Sequence, residues 1–339
     1  MNANSSSVAR AAPQAFAQRL SGRVDRLLRI DWFGAACGVA LVVIVLSLLS
    51  PYFLTSDNLL TILVQTAVVA ILAGGQTFVI LTGEIDLATA AVAALTGGLV
   101  GMLMVHSGLD PYAGIAIAIA IAIGGAIGVF NGLLVAYARL PSFIVTLAGL
   151  SLWRGLGLQA TGGFDSSPMP DVIGMLGRGE VGPVPTPIIV MLGFYVAMAF
   201  LLQQTKIGRY IYAIGSNEDA VLLAGIRVRP YKAAAFAISG LSSGLAAIVL
   251  IGRLDSSGGT IAQGLELDAI AAVVLGGTSL FGGRGSIWGS LLGAVLMATI
   301  RNGMDLLQIS PFLQLVTLGA VILLAVALDV LRTKRFRRN

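Results

Sequence analysis

The sequence predicts an all-α polytopic membrane protein, and three observations carry that expectation. Hydrophobic residues make up 57% of the 339 and charged residues only 11%, where soluble domains carry about a quarter charged. The mean hydropathy is +0.92. The apolar residues also fall into ten stretches near the roughly 20 residues that a helix needs to cross a bilayer: 32–50, 58–82, 86–106, 111–138, 141–160, 187–203, 230–252, 264–281, 286–303 and 311–331.

Before the first stretch, residues 1–31 are polar and arginine-rich. Phe16, Leu20, Val24, Leu27 and Leu28 recur there at helical spacing, which predicts an amphipathic helix lying on the inner membrane surface. Cys37 sits inside the first span and reads as a small hydrophobe. Between the second and third spans only Gly83 and Glu84 interrupt the apolar run, so 83–86 is either a loop or a break at membrane depth. Asp86 is placed to cap the span beginning at Leu87 or to meet a solute. Gly124/Gly128, Gly240/Gly244 and Gly289/Gly293 have the spacing that lets transmembrane backbones touch. Arg154, inside the fifth span, needs an acidic partner that the sequence does not name. Residues 161–186 are dense in proline and glycine and should form an irregular segment that stays out of lipid.

The stretch 204–229 cannot dissolve in a bilayer. Ser216 with Asp219 three residues on resembles a capping box, Asn217, Glu218 and Asp219 put acidic groups at the positive end of a helix dipole, and Gly225 stands where a helix ends in a left-handed residue. A two-turn helix over 217–224 follows. So short a helix is unstable alone in water, so it must dock on its own chain or on another protein. Glu266 and Asp268 open the eighth span, and Gly282–Ser286 reads as a tight turn. Starting from an inner N-terminus, ten crossings put Arg139, the 204–229 loop, Arg284 and the basic tail 332–339 on the cytoplasmic side, as positive charge requires. Arg253 and Arg301 are the exceptions, falling near outer ends. The same count places 161–186 outside and both termini inside. Asn131-Gly132 followed by Pro141, and Asn302-Gly303 followed by Pro311, form a faint echo that fits two inverted five-helix halves.

Composition also excludes. One cysteine and one histidine leave no disulfide frame, no metal site and little for a hydrolytic mechanism. None of the three lysines (Lys206, Lys232, Lys334) follows a glycine, so there is no Walker loop. The expectation is no enzyme, no cofactor and no nucleic-acid partner.

Several stretches together resemble one family. Gly208-Arg209-Tyr210-Ile211-Tyr212-Ala213-Ile214-Gly215-Ser216-Asn217-Glu218, ending in Gly225-Ile226, is similar to the coupling segment of ribose/xylose/galactose-type permeases of bacterial ABC importers. Gly83–Leu87, Pro141–Leu147, and Glu266–Leu280 with Gly282–Ser286 agree, so the resemblance covers about residues 55 to 325. The chain departs from the family in having Glu84 and Ala88 where glycine and serine are usual, and Ser216 where glycine is commoner. The resemblance implies an inner-membrane permease whose ATPase is a separate polypeptide: a cytoplasmic ATP-binding-cassette subunit would dock on Gly208, Arg209, Gly215, Ser216, Asn217, Glu218, Asp219 and Gly225. A periplasmic sugar-binding protein would dock outside, a second permease copy would complete a homodimer, and membrane lipid would surround it. Gln76, Thr82, Glu84, Asp86, Asn131, Phe143 and Asp268 are the candidate pathway residues. A nucleoside or other small polar solute, or an ion-coupled secondary transporter, are the alternative readings.

Overall fold

The computed structural model describes residues 32–107 and 113–336. The amphipathic helix expected within 1–31 and the tail residues 337–339 lie outside them. Thirteen helices occur among the described residues: α1 (Phe33–Leu49), α2 (Ser56–Leu81), α3 (Thr89–Ser107), α4 (Ala113–Ala136), α5 (Ser142–Thr161), α6 (Asp171–Arg178), α7 (Thr186–Gln204), α8 (Lys206–Ser216), α9 (Glu218–Leu223), α10 (Val228–Leu254), α11 (Leu265–Leu275), α12 (Ile287–Leu306) and α13 (Pro311–Phe336). A two-residue hairpin, β1 (Glu180–Val181) with β2 (Val184–Pro185), separates α6 from α7.

The molecule is a polytopic helical membrane protein. Among the described residues, five helices are long and apolar enough to cross a bilayer: Ser56–Leu81, Gly114–Ala136, Ser142–Thr161, Thr186–Gln204 and Val228–Leu254. Phe33–Leu49, Thr89–Val105 and Pro311–Ala327 are shorter apolar helices. The expectation of ten full spans needs correction at the eighth. Residues 264–281 are helical only over Leu265–Leu275, about 16 Å at 1.5 Å per residue, roughly half of a ~30 Å hydrocarbon core. Gly277, at φ +91°, turns the chain away directly after it. The segment 161–186 is also more ordered than its composition implies, because it contains α6 and the hairpin.

Two helices form the centre. α2 is buried almost without interruption from Thr66 to Leu81, and α10 from Ile238 to Gly252 on most of its faces. Glycine sets their approach. A Cβ on Gly124 of α4 would fall against the carbonyl oxygen of Gly240 on α10, and one on Gly240 against that of Gly124. Gly128 and Gly244 lie the same way against Phe236 and Ala120. On the other side Gly293 of α12 meets the carbonyl of Ala272 on α11, and Gly289 that of Gly276. All three glycine pairs singled out in the sequence therefore sit at helix crossings, where van der Waals contact replaces a hydrophobic drive that lipid cannot supply.

Polar groups complete the packing as interhelical hydrogen bonds. Asn58 of α2 and Asn302 of α12 exchange side-chain bonds of 2.8 and 3.1 Å. The Thr77 hydroxyl donates to Ser290 at 2.7 Å, and the fully buried Tyr195 of α7 donates to the Ala70 carbonyl at 2.9 Å. Each such bond in membrane interiors is worth about 0.6 kcal/mol on average, so they set register more than they supply stability.

Gly240→Leu should force the α4–α10 backbones apart, at a cost of about 1–3 kcal/mol or more. Detergent-extracted variant should aggregate on size-exclusion chromatography. Gly193→Leu, at a glycine with nothing near its absent Cβ, should stay monodisperse.

Candidate functional site

At one end of α10 the chain builds a compact unit from two short helices, α8 and α9. Thr205 caps α8, its hydroxyl oxygen accepting from the Gly208 amide. Gly208, Ile211 and Ile214 form the buried stripe of α8, while Arg209 is exposed and reaches the Gln204 carbonyl at 3.5 Å. A Cβ at Gly215 would collide with the Leu81 carbonyl at the end of α2, the same oxygen that accepts from the Gly283 amide at 2.9 Å. The Tyr212 hydroxyl donates to the Gly285 carbonyl at 2.9 Å. Thus α8 is seated on both α2 and the 282–285 turn.

The short helix α9 is capped by Asn217, whose Oδ1 accepts from the Ala220 amide at 3.0 Å. This corrects the capping expected from Ser216. That residue ends α8, and its hydroxyl donates back to the Tyr212 carbonyl at 2.9 Å. Asp219 is exposed in the first turn. Gly225 takes φ +78°, and the Ile226 amide donates to the Val221 carbonyl, closing the helix. Val221 is buried with Ile214 and Val228, flanked by Tyr210 and Tyr231. Leu222 and Leu223 point the other way, 52% and 89% exposed. The helix therefore docks on its own chain with one apolar residue and displays two more.

Lys232, in the first turns of α10, joins this unit to the break between α2 and α3. Its Nζ donates to Glu84 at 2.8 Å and pairs with Glu218 of α9 at 2.7 Å. Glu84 follows Gly83, whose φ of +81° turns the chain out of α2. The break 83–88 then runs back inward. Asp86 is buried, accepting from the Ser239 hydroxyl at 2.8 Å and from the Ala88 amide at 3.0 Å. It caps the turn that precedes α3, whose first helical residue is Thr89 rather than Leu87. Thr82 ends α2 with its hydroxyl donating to the Val79 carbonyl.

At the opposite end of α10 lies a cavity of about 290 Å³ between α2, α10, α11 and α12. Its polar lining comprises Gln65, Arg253, Gln263, Asp268, Arg301 and Asp305. An Arg301 Nη donates to Asp268 at 2.6 Å. The volume is at the low end of small-molecule sites. Beside it, Arg178 of α6 pairs with Asp255 at 2.6 Å, and Asp255 also accepts from the Met169 amide at 3.0 Å. Ser166 and Ser257 exchange backbone bonds. These contacts clasp 163–185 to the end of α10. Arg154 of α5 finds its acidic neighbour in Glu266, 3.9 Å away.

The sequence-predicted residues thus separate into distinct places. Gly208, Arg209, Gly215, Ser216, Asn217, Glu218, Asp219 and Gly225 form one surface unit. Thr82, Glu84 and Asp86 belong to the break beneath it. Asp268 lines the cavity at the far end. Gln76 and Asn131 are buried within helices, and Phe143 is 54% exposed on α5. Lys232, Arg253 and Arg301 were missed as site residues. The last two carried a signal, being the arginines that break the charge rule. Among the described residues no cluster of side chains could hold a metal ion.

The chain belongs to the family described as branched-chain amino acid transport system/permease component, whose model matches residues 58–326. It is 43% identical to the ribose import permease protein RbsC of Escherichia coli (strain K12) over 300 residues, 86% of this chain and 92% of that one. Identity to the ribose import permease protein RbsC of Bacillus subtilis (strain 168) is 45% over 298 residues, covering 87% and 92%. The D-allose transport system permease protein AlsC of Escherichia coli (strain K12) is 36% identical over 310 residues, covering 90% and 93%. No solved structure matches the chain at a significant level. The protein is an integral membrane transport component and not an enzyme.

The Arg178 guanidinium, then the Met169 amide, hold the Asp255 carboxyl below its ordinary value. A depressed carboxylate contributes stability above its unfolded value of about 3.9 and loses it as pH falls through the folded value. The 163–185 segment should therefore resist protease at neutral pH and become cleavable only below about pH 4. Asp255→Asn should make it cleavable at pH 7.

Proposed function

We propose that this chain is the permease subunit of an ATP-binding-cassette importer that carries a monosaccharide of the ribose, allose or xylose type across the bacterial inner membrane. The observation that carries the reading is α9, a helix folded against its own chain yet presenting Leu222 and Leu223 outward at the end of the largely buried α10. A separate ATPase subunit would grip that face. The cavity at the far end suits the cargo. Two carboxylates accept, two guanidiniums donate and two amides do both, so a neutral polyhydroxylated ring can be ringed by hydrogen bonds without charge left over. That balance favours a sugar over an ion, and the ribose and allose permeases among the relatives favour it over a nucleoside.

In this reading the chain crosses the membrane ten times with α11 as a half-crossing. The segment 204–229, both termini, the 1–31 surface helix and the 332–339 tail face the cytoplasm, while 161–186 faces the periplasm and meets a sugar-binding protein. Two inverted five-helix halves find support in paired features. Arg139 and Gln308 both adopt positive φ just before Pro141 and Pro311, and the third helix of each half, α3 and α11, has acidic residues at or just before its start: Asp86, and Glu266 with Asp268. The exposed apolar faces of α5, α7 and α13 are where lipid or a second permease copy in a homodimer would pack.

ATP-driven closure of the motor would move α8 and α9, and through them the ends of α2 and α10, opening the bundle to one side and then the other. Leu223→Asp should insert normally yet fail to retain the ATPase subunit on copurification, and uptake in vesicles should fall more than tenfold. Asp268→Asn should keep that association and still lower sugar uptake several-fold. Uptake driven by a proton gradient without the ATPase subunit would favour the ion-coupled alternative.

A further inference from the structure

We infer that Lys232 is the positioning residue that transmits movement of the coupling helix to the membrane break, a role that rests on α9 being the motor's docking point. Three separate pieces of the chain converge on this one ammonium group. Glu218 is the first residue of α9, Glu84 lies in the break between α2 and α3, and Lys232 itself belongs to α10. Both bonds are short, 2.7 Å to the half-exposed Glu218 and 2.8 Å to Glu84, and the Lys232 and Glu84 side chains are only 14% and 18% exposed. The Lys232–Glu84 pair is shielded, so water cannot replace either partner cheaply, whereas the Glu218 side stays open to solvent and to movement.

The remaining contacts give the bridge its direction. Glu84 is two residues from Asp86, which is tied to α10 again through Ser239, seven residues and two helical turns above Lys232. The break is therefore clasped to α10 at two levels, and the lower clasp also holds α9. Glu218 has no second ion pair among the described residues, so displacing the N-terminus of α9 acts on Lys232 first. Lys232 then either carries Glu84 with it or lets it go. Either motion changes how the 83–88 segment sits against Ser239. The coupling is thus a contiguous physical link between a surface helix and a buried carboxylate.

The test reconstitutes the permease with its ATPase subunit and binding protein in liposomes, using D-ribose, D-xylose or D-allose, whichever the wild type imports. The readout is sugar imported per ATP hydrolysed. Lys232→Met should lower that ratio at least tenfold, Lys232→Arg should keep it within about twofold, and Glu84→Gln combined with Lys232→Met should be no worse than Lys232→Met alone, as for groups in one link. Because breaking a buried pair also weakens folding, the triple variant Glu84→Met, Lys232→Met, Glu218→Met separates the two roles. Replacing all three charges should return the melting temperature toward wild type while the import ratio stays low. A wild-type ratio in Lys232→Met, or recovery of transport together with stability in the triple variant, would overturn the inference. Retention of the ATPase subunit by Leu223→Asp would instead overturn the coupling reading beneath it.

Discussion

The close approach of backbones along α10 is the constraint on which everything else depends. In a bilayer, helices gain little by hiding apolar surface from lipid, so they associate through contact and hydrogen bonding. Gly240 and Gly244 let α10 lie directly on α4, and Gly75 lets α2 come against Ser239 and Ser242. With α10 held on two sides, its length of 27 residues spans the whole protein. Its first turns present Lys232, its middle presents Ser239 to Asp86, and its last turn presents Arg253 to the cavity. The polar chemistry of the molecule is distributed along a single rod.

That distribution explains why charged groups are tolerated at such depth. An ionised side chain is costly in the bilayer unless it faces a cavity or a partner. Glu84 and Glu218 share Lys232, Asp268 meets Arg301, Arg154 lies beside Glu266, and Asp86 accepts two hydrogen bonds. The acidic residues that interrupt the apolar pattern are therefore matched from other helices. Most of those pairings join segments far apart in the chain, so they fasten the bundle as well as satisfying the charges.

This long-range pairing also marks where the sequence stops being legible. Composition and periodicity found the apolar helices, and the glycine spacings pointed to real crossings, because both are local or composition-driven properties. The two-turn helix near 217–224 was readable from Asn217, the acidic first turn and Gly225, although its cap was misplaced by one residue. Partnerships were not readable. Nothing near Lys232 in sequence announces Glu84, 148 residues away, and Arg154 gives no hint of Glu266. The half-length of α11 was hidden for a different reason: Gly276, Gly277 and Thr278 sit inside an apolar run, and hydropathy averages across a break that backbone geometry does not. The order of 161–186 was likewise missed because its holding partners, Asp255 for Arg178 and Ser257 for Ser166, lie outside the segment.

The division of labour on α9 has a consequence for association itself. Val221, the Asn217 cap and the Glu218–Lys232 bridge hold this six-residue helix in shape before any other protein arrives. A partner that covers Leu222 and Leu223 meets a rigid knob rather than a loop it must first order, and so avoids most of the conformational entropy that such an encounter would otherwise cost. Affinity at so small a surface can then come from very few side chains.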